Sequence, residues 1–429
     1  MLSGEVKKVA IIGGNRIPFV RSNTAYFENS NQEMLTAAID GLVQRFNLTG
    51  EKLGEVVAGA VMKHSRDFNL TRECVIDTAL SPYTPCYDVQ QACGTGMEAA
   101  ILVANKIALG QIDAGIAGGV DTTSDAPVGV NEEMRRIFME INRAKSTGEI
   151  VKQALRFRPR HLVPSTPANE EPRTGLSMGE HCAVTAEKWG VKREDQDQLA
   201  FESHRKLAKA YDDGFFEDLI TSFSGVEKDL CLRPDTKLEK LASLKPVFGG
   251  EPGTMTAGNS TTLTDGASAV LLANEEWAKE KDLPVLAYLT FAETAAVDFT
   301  GKTGYEEGLL MAPAYAVPRL LEKAGLTLQD FDFYEIHEAF AAQVLATLQA
   351  WEDEDFCKEH LDIDKALGSI DRAKLNVKGS SLAAGHPFAA TGGRILATLA
   401  KIINDNGSGR GLISICAAGG QGVTAIVEK

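Results

Sequence analysis

The sequence predicts an α/β protein with a mainly parallel sheet, and two observations carry that prediction. Short runs rich in β-branched residues alternate with longer helical patterns, beginning with "VKKVAIIGG", "NQEMLTAAIDGLVQRF" and "GEVVAGAVM". Strands that alternate with helices in this way are typical of βαβ units. A chain of 429 residues with 44% apolar content is also long enough to bury a large core, divided between two or three domains.

A similar pattern occurs twice along the chain. After Cys93 come a helical run, "GMEAAILVANKIALG", and a strand-like run, "AGIAGGVD". Much later, "SSLAAGHPFAATGG" leads into the helical "GGRILATLAKIIND" and the strand-like "GLISICAAGGQG". Each half thus runs from a loop of small residues through one helix to a strand with a Gly-Gly pair. This similarity predicts an internal duplication, although two unrelated βαβ units would share the pattern.

A stretch of different composition separates the two halves. It contains two amphipathic helical patterns with charged outer faces, "SMGEHCAVTAEKWG" and "REDQDQLAFESHRKLAKAYDDG". We therefore expect an inserted, mostly helical subdomain at 127–259. The N-terminal domain is then 1–126 together with 260–274, and the C-terminal domain is 275–429.

Composition argues against several classes of protein. The net charge of −15 and the pI near 5.1 disfavour nucleic acid as a partner, because phosphate binding needs a basic surface. No apolar run approaches the ~18–20 residues of a membrane span, and the first residues lack a signal-peptide pattern. Seven cysteines are scattered without C-x-x-C pairs, so we expect a reducing, cytoplasmic location and no metal site.

The stretch "YDVQQACGTGMEAA" permits two interpretations. Gly94, Gly96 and Ala99 match a G-x-G-x-x-A dinucleotide loop, but the acidic residue expected about twenty positions later has no well-placed candidate. Alternatively, Cys93 lies at a strand-to-helix turn, where the helix dipole lowers the pKa of a thiol and favours a nucleophile. Neighbouring glycines would then leave room for a substrate. A buried, inert cysteine is the structural alternative.

Three further segments carry residues suited to chemistry. His337 in "FDFYEIHEAFAAQ" is expected at a strand end, where the sites of α/β proteins gather. His386 in "GSSLAAGHPFAATGG" precedes a proline, which favours the first turn of a helix. Cys416 in "ISICAAGGQG" ends a strand before a flexible turn whose backbone N–H groups can face an oxyanion. Each of them also has a purely structural interpretation.

Together these segments resemble the thiolases along essentially the whole chain. "QQACGTGMEA", "HEAFAAQ", "GHPFAATG" and "CAAGGQG" are similar to the four catalytic segments of that family and occur in the same order. The forms HEAFA, GHPFAATG and CAAGG further resemble the β-subunit branch of the fatty-acid-oxidation trifunctional complexes. The resemblance implies a thiolase-like fold: two duplicated α/β domains in five layers, α-β-α-β-α, with an inserted loop domain.

The resemblance also implies a role for each residue. Cys93 would be the nucleophile that carries an acyl thioester, and His386 the base that activates it and contributes to an oxyanion hole. Cys416 would be the acid and base, while His337 and the backbone N–H of Ala418 would serve oxyanion holes. The chain departs from the family pattern twice: His337 replaces a commoner asparagine, and Ala418 replaces a common glycine, where a positive φ would be disfavoured.

The substrates implied are coenzyme A and acyl-CoA, with no permanently bound cofactor and no metal. The resemblance assigns six residues to the CoA tunnel: Met178, Phe248, Ala257, Ser260, Ala339 and Phe340. It further implies a homodimer or a dimer of dimers, and an α-subunit partner with hydratase and dehydrogenase activities. Four interpretations of the basic and apolar segment "MRRIFMEINRAKSTGEIVKQALRFRPRHL" stay open: a solvated helical face, a cover for a long acyl chain, a docking surface for a partner, or a membrane contact.

The predicted function is CoA-dependent cleavage of 3-ketoacyl-CoA to acetyl-CoA and a shortened acyl-CoA, or the reverse Claisen condensation, in fatty acid β-oxidation. One alternative is a decarboxylating, ketoacyl-synthase-like condensing enzyme, which pairs its cysteine with two histidines and does not need Cys416. Others are a mainly structural β-subunit and a nicotinamide-dependent oxidoreductase. The simultaneous presence of Cys93, His337, His386 and Cys416 favours the thiolase.

Overall fold

The computed structural model describes residues 6–251 and 253–429. Its strands are β1 Ala10–Arg16, β2 Val20–Arg21, β3 Glu55–Ala58, β4 Cys86–Asp88, β5 Ala114–Asp121, β6 Gly129–Val130, β7 Pro164–Ser165, β8 Pro246–Phe248, β9 Met255–Thr256, β10 Thr264–Ala273, β11 Ala287–Ala296, β12 Phe333–Ile336, β13 Arg410–Ala417 and β14 Gln421–Glu428. Its helices are α1 Asn31–Arg45, α2 Leu70–Asp77, α3 Thr95–Ala108, α4 Glu132–Arg143, α5 Thr147–Ala154, α6 Met178–Lys188, α7 Arg193–Asp212, α8 Leu238–Ala242, α9 Glu275–Glu280, α10 Ala312–Ala324, α11 Ala341–Glu352, α12 Glu354–His360, α13 Ser381–Ala384 and α14 Thr391–Asp405.

The main sheet is mixed, so the prediction of a mainly parallel sheet is wrong. Its strands follow the order β12-β13-β14-β11-β1-β10-β5-β3-β4, with β2 beside β10. The pairs β3–β4, β3–β5 and β12–β13 are parallel, whereas the pairs that β10, β11 and β14 form are antiparallel. The lengths of the connections between strands explain the antiparallel pairs. A three-residue turn joins β13 to β14, and so short a turn can join only antiparallel strands.

The two halves of the sheet have the same strand pattern, which confirms the predicted duplication. One half reads β3-β5-β10-β1 and the other reads β12-β13-β14-β11, each with one parallel pair followed by two antiparallel pairs. The strands β5 and β13 each follow a long helix, α3 and α14 respectively. The halves join edge to edge, where Ala10 pairs with Tyr288 and Ile11 with Ala287.

Alternate residues of the strands face different helical layers, as the period of two requires. On β3, Val56 belongs to the core that contains α1 and α2, whereas Val57 belongs to the core that contains α3 and α14. On β13, Ile413 shares the core of α3 and α14, whereas Leu412 shares the core of α10 and α11. The layers therefore run helix, sheet, helix, sheet, helix, and the five-layer expectation is confirmed.

The central layer consists of α3 and α14, whose backbones approach closely. A Cβ added at Gly96 would lie 2.6 Å from the carbonyl oxygen of Ala389 and 3.0 Å from the amide nitrogen of Gly393. A Cβ added at Gly392 would lie 2.2 Å from the amide nitrogen of Met97. Only glycine fits at these positions. Gly96 therefore serves helix packing, and its interpretation as room for a substrate is wrong.

The segment between β5 and β10 holds α4 to α8 and two small antiparallel sheets of two strands each, β6–β7 and β8–β9. A buried ion pair anchors it to the sheet: the Arg16 guanidinium donates to both carboxylate oxygens of Asp229, at 2.6 and 2.7 Å. Such a bidentate geometry fixes direction as well as distance. None of the helices in residues 6–251 and 253–429 has both the length and the apolar character needed to cross a membrane.

Candidate active site

Cys93 lies in a constrained turn just before α3. The preceding residue, Ala92, has a φ of 46°, a left-handed conformation that non-glycine residues rarely adopt. The hydroxyl of Thr95 holds the turn, because it accepts from the amide of Gln91 at 2.9 Å and donates to the carbonyl of Ala92 at 2.7 Å. Strain of this kind persists only where surrounding bonds enforce it, and here it fixes the position of the Cys93 side chain.

His386 faces Cys93 from the opposite half of the molecule. It lies in the connection between α13 and α14, so the prediction that it occupies the first turn of a helix is wrong. Gly385, with a φ of 98°, ends α13 and turns the chain before the helix that follows can begin. The Nε2 atom of His386 lies 3.1 Å from the Sγ of Cys93, and its Nδ1 lies 2.6 Å from the hydroxyl of Thr391.

His337 directly follows β12 and lies beside His386. Its backbone amide donates to the carbonyl of Ser414 at 2.8 Å, which extends the β12–β13 pairing by one residue. Its Nδ1 lies 2.8 Å from the hydroxyl of Ser381, which also accepts from Arg394 at 2.8 Å. The two imidazole centroids are 4.2 Å apart. The Nε2 of His337 is buried and has no hydrogen-bond partner among the described residues.

Cys416 is buried near the end of β13, and Ala418 follows in the turn to β14. The backbone N–H of Ala418 lies near the sulfur of Cys93 and favours its thiolate. The positive φ values of this turn fall on Gly419 and Gly420, at 78° and 69°, and not on Ala418. An alanine at 418 is therefore compatible with the turn.

Burial controls the protonation of the four side chains. It raises the pKa of Cys93 to about 12, although the Ala418 N–H opposes this shift, and it raises the pKa of Cys416 well above its usual value. Burial, followed by the charge of Arg394, lowers the pKa of His386 to about 3, and the pKa of His337 is lowered well below 6.5. The lowered thiol pKa expected from the helix dipole is therefore wrong. At pH 7 both thiols are protonated and both imidazoles are neutral.

Two cavities meet at Cys93. A cavity of about 170 Å³ is bounded by Cys93, His386 and Cys416 on one side. A second cavity, of about 460 Å³, extends from Cys93 to the segment 166–171 and is mostly apolar, with Val61, Met62, Ala126, Pro167, Ala168 and Leu263 in its wall. The sulfur of Cys93 thus lies between a narrow chamber that also reaches His386 and Cys416 and a wider, more apolar one.

The structure brings four of the six proposed CoA contacts to the smaller cavity: Met178, Phe248, Ala339 and Phe340. Phe248 and Phe340 are in edge-to-face contact, with ring centroids 6.0 Å apart. Ser260 is buried and pairs with Phe340 through a β-bridge, whereas Ala257 is exposed beyond β9. Neither Ser260 nor Ala257 is among the described residues that line the cavity.

Sequence reasoning missed the residues that orient this site. Thr391 lies inside the "GHPFAATG" segment, so its spacing of five from His386 was a usable signal. Glu171 had no such signal: it is buried in the inserted segment, and its carboxylate accepts from the amide of Gly419 at 2.6 Å. Glu338 is likewise buried and accepts from the side chains of Ser203 and Asn376. These contacts depend on the tertiary fold.

A cysteine paired with a histidine at the head of a buried helix, on a duplicated α/β fold, is the arrangement of an enzyme that works through a covalent cysteine intermediate. Comparison with protein families makes the class specific. The family model described as "Thiolase, N-terminal domain" matches residues 9–276, and "Thiolase, C-terminal domain" matches residues 288–429. The chain belongs to the thiolase family and is a CoA-dependent acyltransferase. The dinucleotide interpretation of Gly94 and Gly96 is therefore wrong.

Known proteins are similar over the full length. The 3-ketoacyl-CoA thiolase of Yersinia pestis (strain Pestoides F) is 38% identical over 427 residues, which cover 98% of this chain and 97% of that one. The crystal structure of the Bacillus anthracis acetyl-CoA acetyltransferase matches with a TM-score of 0.81 at 30% identity, covering 99% and 100% of the two chains. Human mitochondrial 3-ketoacyl-CoA thiolase in complex with CoA matches with a TM-score of 0.81 at 26% identity, covering all of both chains.

Proposed function

We propose that this chain cleaves 3-ketoacyl-CoA with free CoA, or runs the reverse Claisen condensation, through an acyl thioester on Cys93, and that it serves fatty acid β-oxidation. The observation that carries the proposal is the contact of 3.1 Å between the Nε2 of His386 and the sulfur of Cys93, at the junction of the two cavities. A protonated thiol beside a neutral imidazole is a nucleophile with its base already in place.

The first half-reaction begins when the sulfur of Cys93 attacks the C3 carbonyl carbon. The Nε2 of His386 takes the thiol proton, and the C2–C3 bond breaks with its electron pair remaining on C2 of the acetyl-CoA enolate. Cys416 then protonates C2 and becomes a thiolate. In the second half-reaction Cys416 takes the proton of incoming CoA, whose sulfur attacks the acyl thioester. Cys93 leaves as a thiolate and recovers its proton from His386.

The hydrogen bonds around the two histidines suit these roles. The Arg394 guanidinium can only donate, so the Ser381 hydroxyl accepts from it. The hydroxyl is then free to donate its own hydrogen to the Nδ1 of His337. The Nε2 of His337 then carries the hydrogen and can donate to the enolate oxygen. The N–H of Ala418, which favours the thiolate of Cys93, supports a second oxyanion hole for the tetrahedral intermediates.

We assign the smaller cavity to the pantetheine thiol end of CoA and the larger, apolar cavity to the acyl chain. Met178, Phe248, Ala339 and Phe340 line the first. Ala257 would contact CoA further out, from a CoA-binding inserted domain at 127–259, and Ser260 would do so from the N-terminal domain (1–126 with 260–274). The C-terminal domain is 275–429. The match to a human thiolase in complex with CoA supports CoA as a ligand of this chain.

The variant Cys93→Ser tests the assignment of the nucleophile. We expect it to lose nearly all CoA-dependent loss of the acetoacetyl-CoA enolate absorbance while it still binds acyl-CoA. Cys357→Ser is the matched control, because Cys357 is buried on α12 and lies outside both cavities. Full activity of Cys93→Ser would show that the nucleophile is another residue. Activity that requires NAD would overturn the proposed function as a whole.

We also propose that the chain forms a homodimer, or a dimer of dimers, through the sheet edge at β4. This strand ends the sheet, so its outer backbone groups lack a strand partner among the described residues. Close to it, Phe68 is 91% exposed and Tyr83 is 80% exposed. Light scattering of the purified chain tests this: we expect a dimer that Tyr83→Glu weakens, and a monomer at all concentrations would contradict it.

The segment of α4 and α5, residues 131–163, is proposed to touch an anionic membrane surface. It holds eight Lys and Arg residues against four Glu residues, in a chain of net charge −15. Its exposed apolar side chains include Phe138, Met139, Val151, Leu155 and Leu162. Sedimentation with anionic vesicles should bring the chain down, and replacing Leu155 and Leu162 with Ser should reduce this. Binding to a hydratase and dehydrogenase α-subunit instead of vesicles would assign the segment to that partner.

We propose a cytoplasmic location for the chain. All seven cysteines are free thiols, and both Cys93 and Cys416 must stay reduced for the mechanism above. A reducing compartment provides that condition. Fractionation of cells that express the chain tests this proposal, and recovery from an oxidising compartment would contradict it.

A further inference from the structure

The catalytic site also places three soft metal ligands around one point. Cys93, His337 and His386 each offer a ligand atom, and these atoms lie within 4.8 Å of one another. They come from three separate parts of the sequence, so no short-range pair of ligand residues marks the site. Zinc binds sulfur at about 2.3 Å and imidazole nitrogen at about 2.0–2.1 Å, so an ion among the three needs only small side-chain movements.

Both imidazoles are already oriented as metal ligands usually are. A ligating histidine normally hydrogen-bonds through its other ring nitrogen, which fixes the ring. The Nδ1 of His386 has Thr391 at 2.6 Å, and the Nδ1 of His337 has Ser381 at 2.8 Å. The Ser381 hydroxyl can accept from Nδ1–H as well as donate to Nδ1, so His337 can present an Nε2 lone pair. That Nε2 atom is buried and has no partner among the described residues.

We propose that Cys93, His337 and His386 form a binding site for a borderline-soft divalent cation such as Zn²⁺, and that an ion bound there reversibly inhibits the enzyme. Three protein ligands leave a fourth position for water, the pattern of zinc sites that are open to solvent or substrate. Binding displaces the thiol proton of Cys93, which leaves as H⁺ while a Zn–S bond forms. The bound sulfur can no longer attack a carbonyl, so inhibition follows.

The ligand set also sets the selectivity. Thiolate and imidazole favour zinc and related transition metals, whereas Mg²⁺ prefers oxygen ligands. His337 is the residue that distinguishes this site, because an asparagine amide at the same position would be a poor zinc ligand. Metal binding is measured without substrate and does not depend on thiolysis, whereas the inhibition rests on the proposed role of Cys93 as nucleophile.

Titration calorimetry of the full chain with Zn²⁺ alone tests the proposal. We expect one ion per chain at this site, proton release on binding, and no heat from Mg²⁺. Alkylation of Cys93 should abolish binding, and His337→Asn should weaken it at least about tenfold, as loss of even an outer-shell partner does. His360→Asn is the matched control, because His360 stacks on Tyr305 outside the site, and it should bind Zn²⁺ as the unmodified chain does.

Co²⁺ provides an independent readout, because a thiolate ligand gives it a charge-transfer absorption band. The band should appear with the unmodified chain and with His360→Asn, and should disappear after alkylation of Cys93. If His337→Asn fails to fold, Ser381→Ala replaces it and should lower Zn²⁺ affinity about 10- to 100-fold. Absence of Zn²⁺ binding, or binding that survives alkylation, would overturn the proposal. The proposal would also be overturned if Zn²⁺ inhibited His337→Asn as strongly as the unmodified enzyme, because the ion would then react with Cys93 alone.

Discussion

The orientation of His386 gives a prediction whose size follows from the structure. The Thr391 hydroxyl lies 2.6 Å from Nδ1 and can accept its hydrogen, the tautomer that leaves the Nε2 lone pair to take the proton of Cys93. In Thr391→Val the buried Nδ1–H would lack an acceptor, which costs about 1–3 kcal/mol. The imidazole avoids this cost by moving the hydrogen to Nε2, where it blocks the base. At 1.36 kcal/mol per tenfold change, we expect kcat/KM to fall about 5- to 150-fold.

The assay is the CoA-dependent loss of acetoacetyl-CoA, together with the rate at which iodoacetamide alkylates Cys93. Both rates should fall in Thr391→Val, because both need the thiol proton removed. Thr391→Ser keeps the hydroxyl and should stay close to the unmodified enzyme. If Thr391→Val retains full kcat/KM, or if Thr391→Ser loses as much as Thr391→Val, then the hydroxyl does not set the tautomer and the reasoning is refuted.

Three further predictions concern residues other than the four candidate catalytic side chains. In Glu171→Gln the hydrogen bond to the Gly419 amide loses its negatively charged acceptor, which weakens that bond by about 1 kcal/mol. We therefore expect kcat to fall about fivefold with KM for CoA nearly constant. A change in KM alone would contradict this. Gly96→Ala should lower the free energy of unfolding by about 1–3 kcal/mol in denaturant titrations, because its Cβ would meet the Ala389 carbonyl at 2.6 Å; unchanged stability would show that α3 and α14 can separate. Burial raises the pKa of Glu335 from 4.5 to about 8, so the folded state keeps a proton that the unfolded chain loses. The free energy of unfolding should therefore fall as the pH rises from about 5 to 8, and it should fall less steeply in Glu335→Gln. Equal slopes in the two proteins would assign the pH dependence to other groups.

Most of the fold was readable from local patterns. The alternation of strands and helices gave the class, and the similarity of the two halves gave the duplication, because both depend on periodicities of two and 3.6 along the chain. Strand direction was not readable. Whether β10 runs parallel or antiparallel to β5 depends on where the chain re-enters the sheet after the inserted segment, and no local propensity encodes that.

For the candidate site, too, some features were predictable from the sequence and others were not. Sequence by itself predicted the candidate catalytic residues, since Cys93, His337, His386 and Cys416 each lie in a short segment of distinctive composition. Only the tertiary structure decided their protonation, because burial outweighs the helix dipole and leaves Cys93 a neutral thiol. It also decided the partners that orient them: Ser381 lies 44 positions from His337, and Glu171 reaches Gly419 across 248 positions. A chemical role depends on residue type and short spacing, whereas a pKa and a hydrogen-bond direction depend on every element that packs around the group.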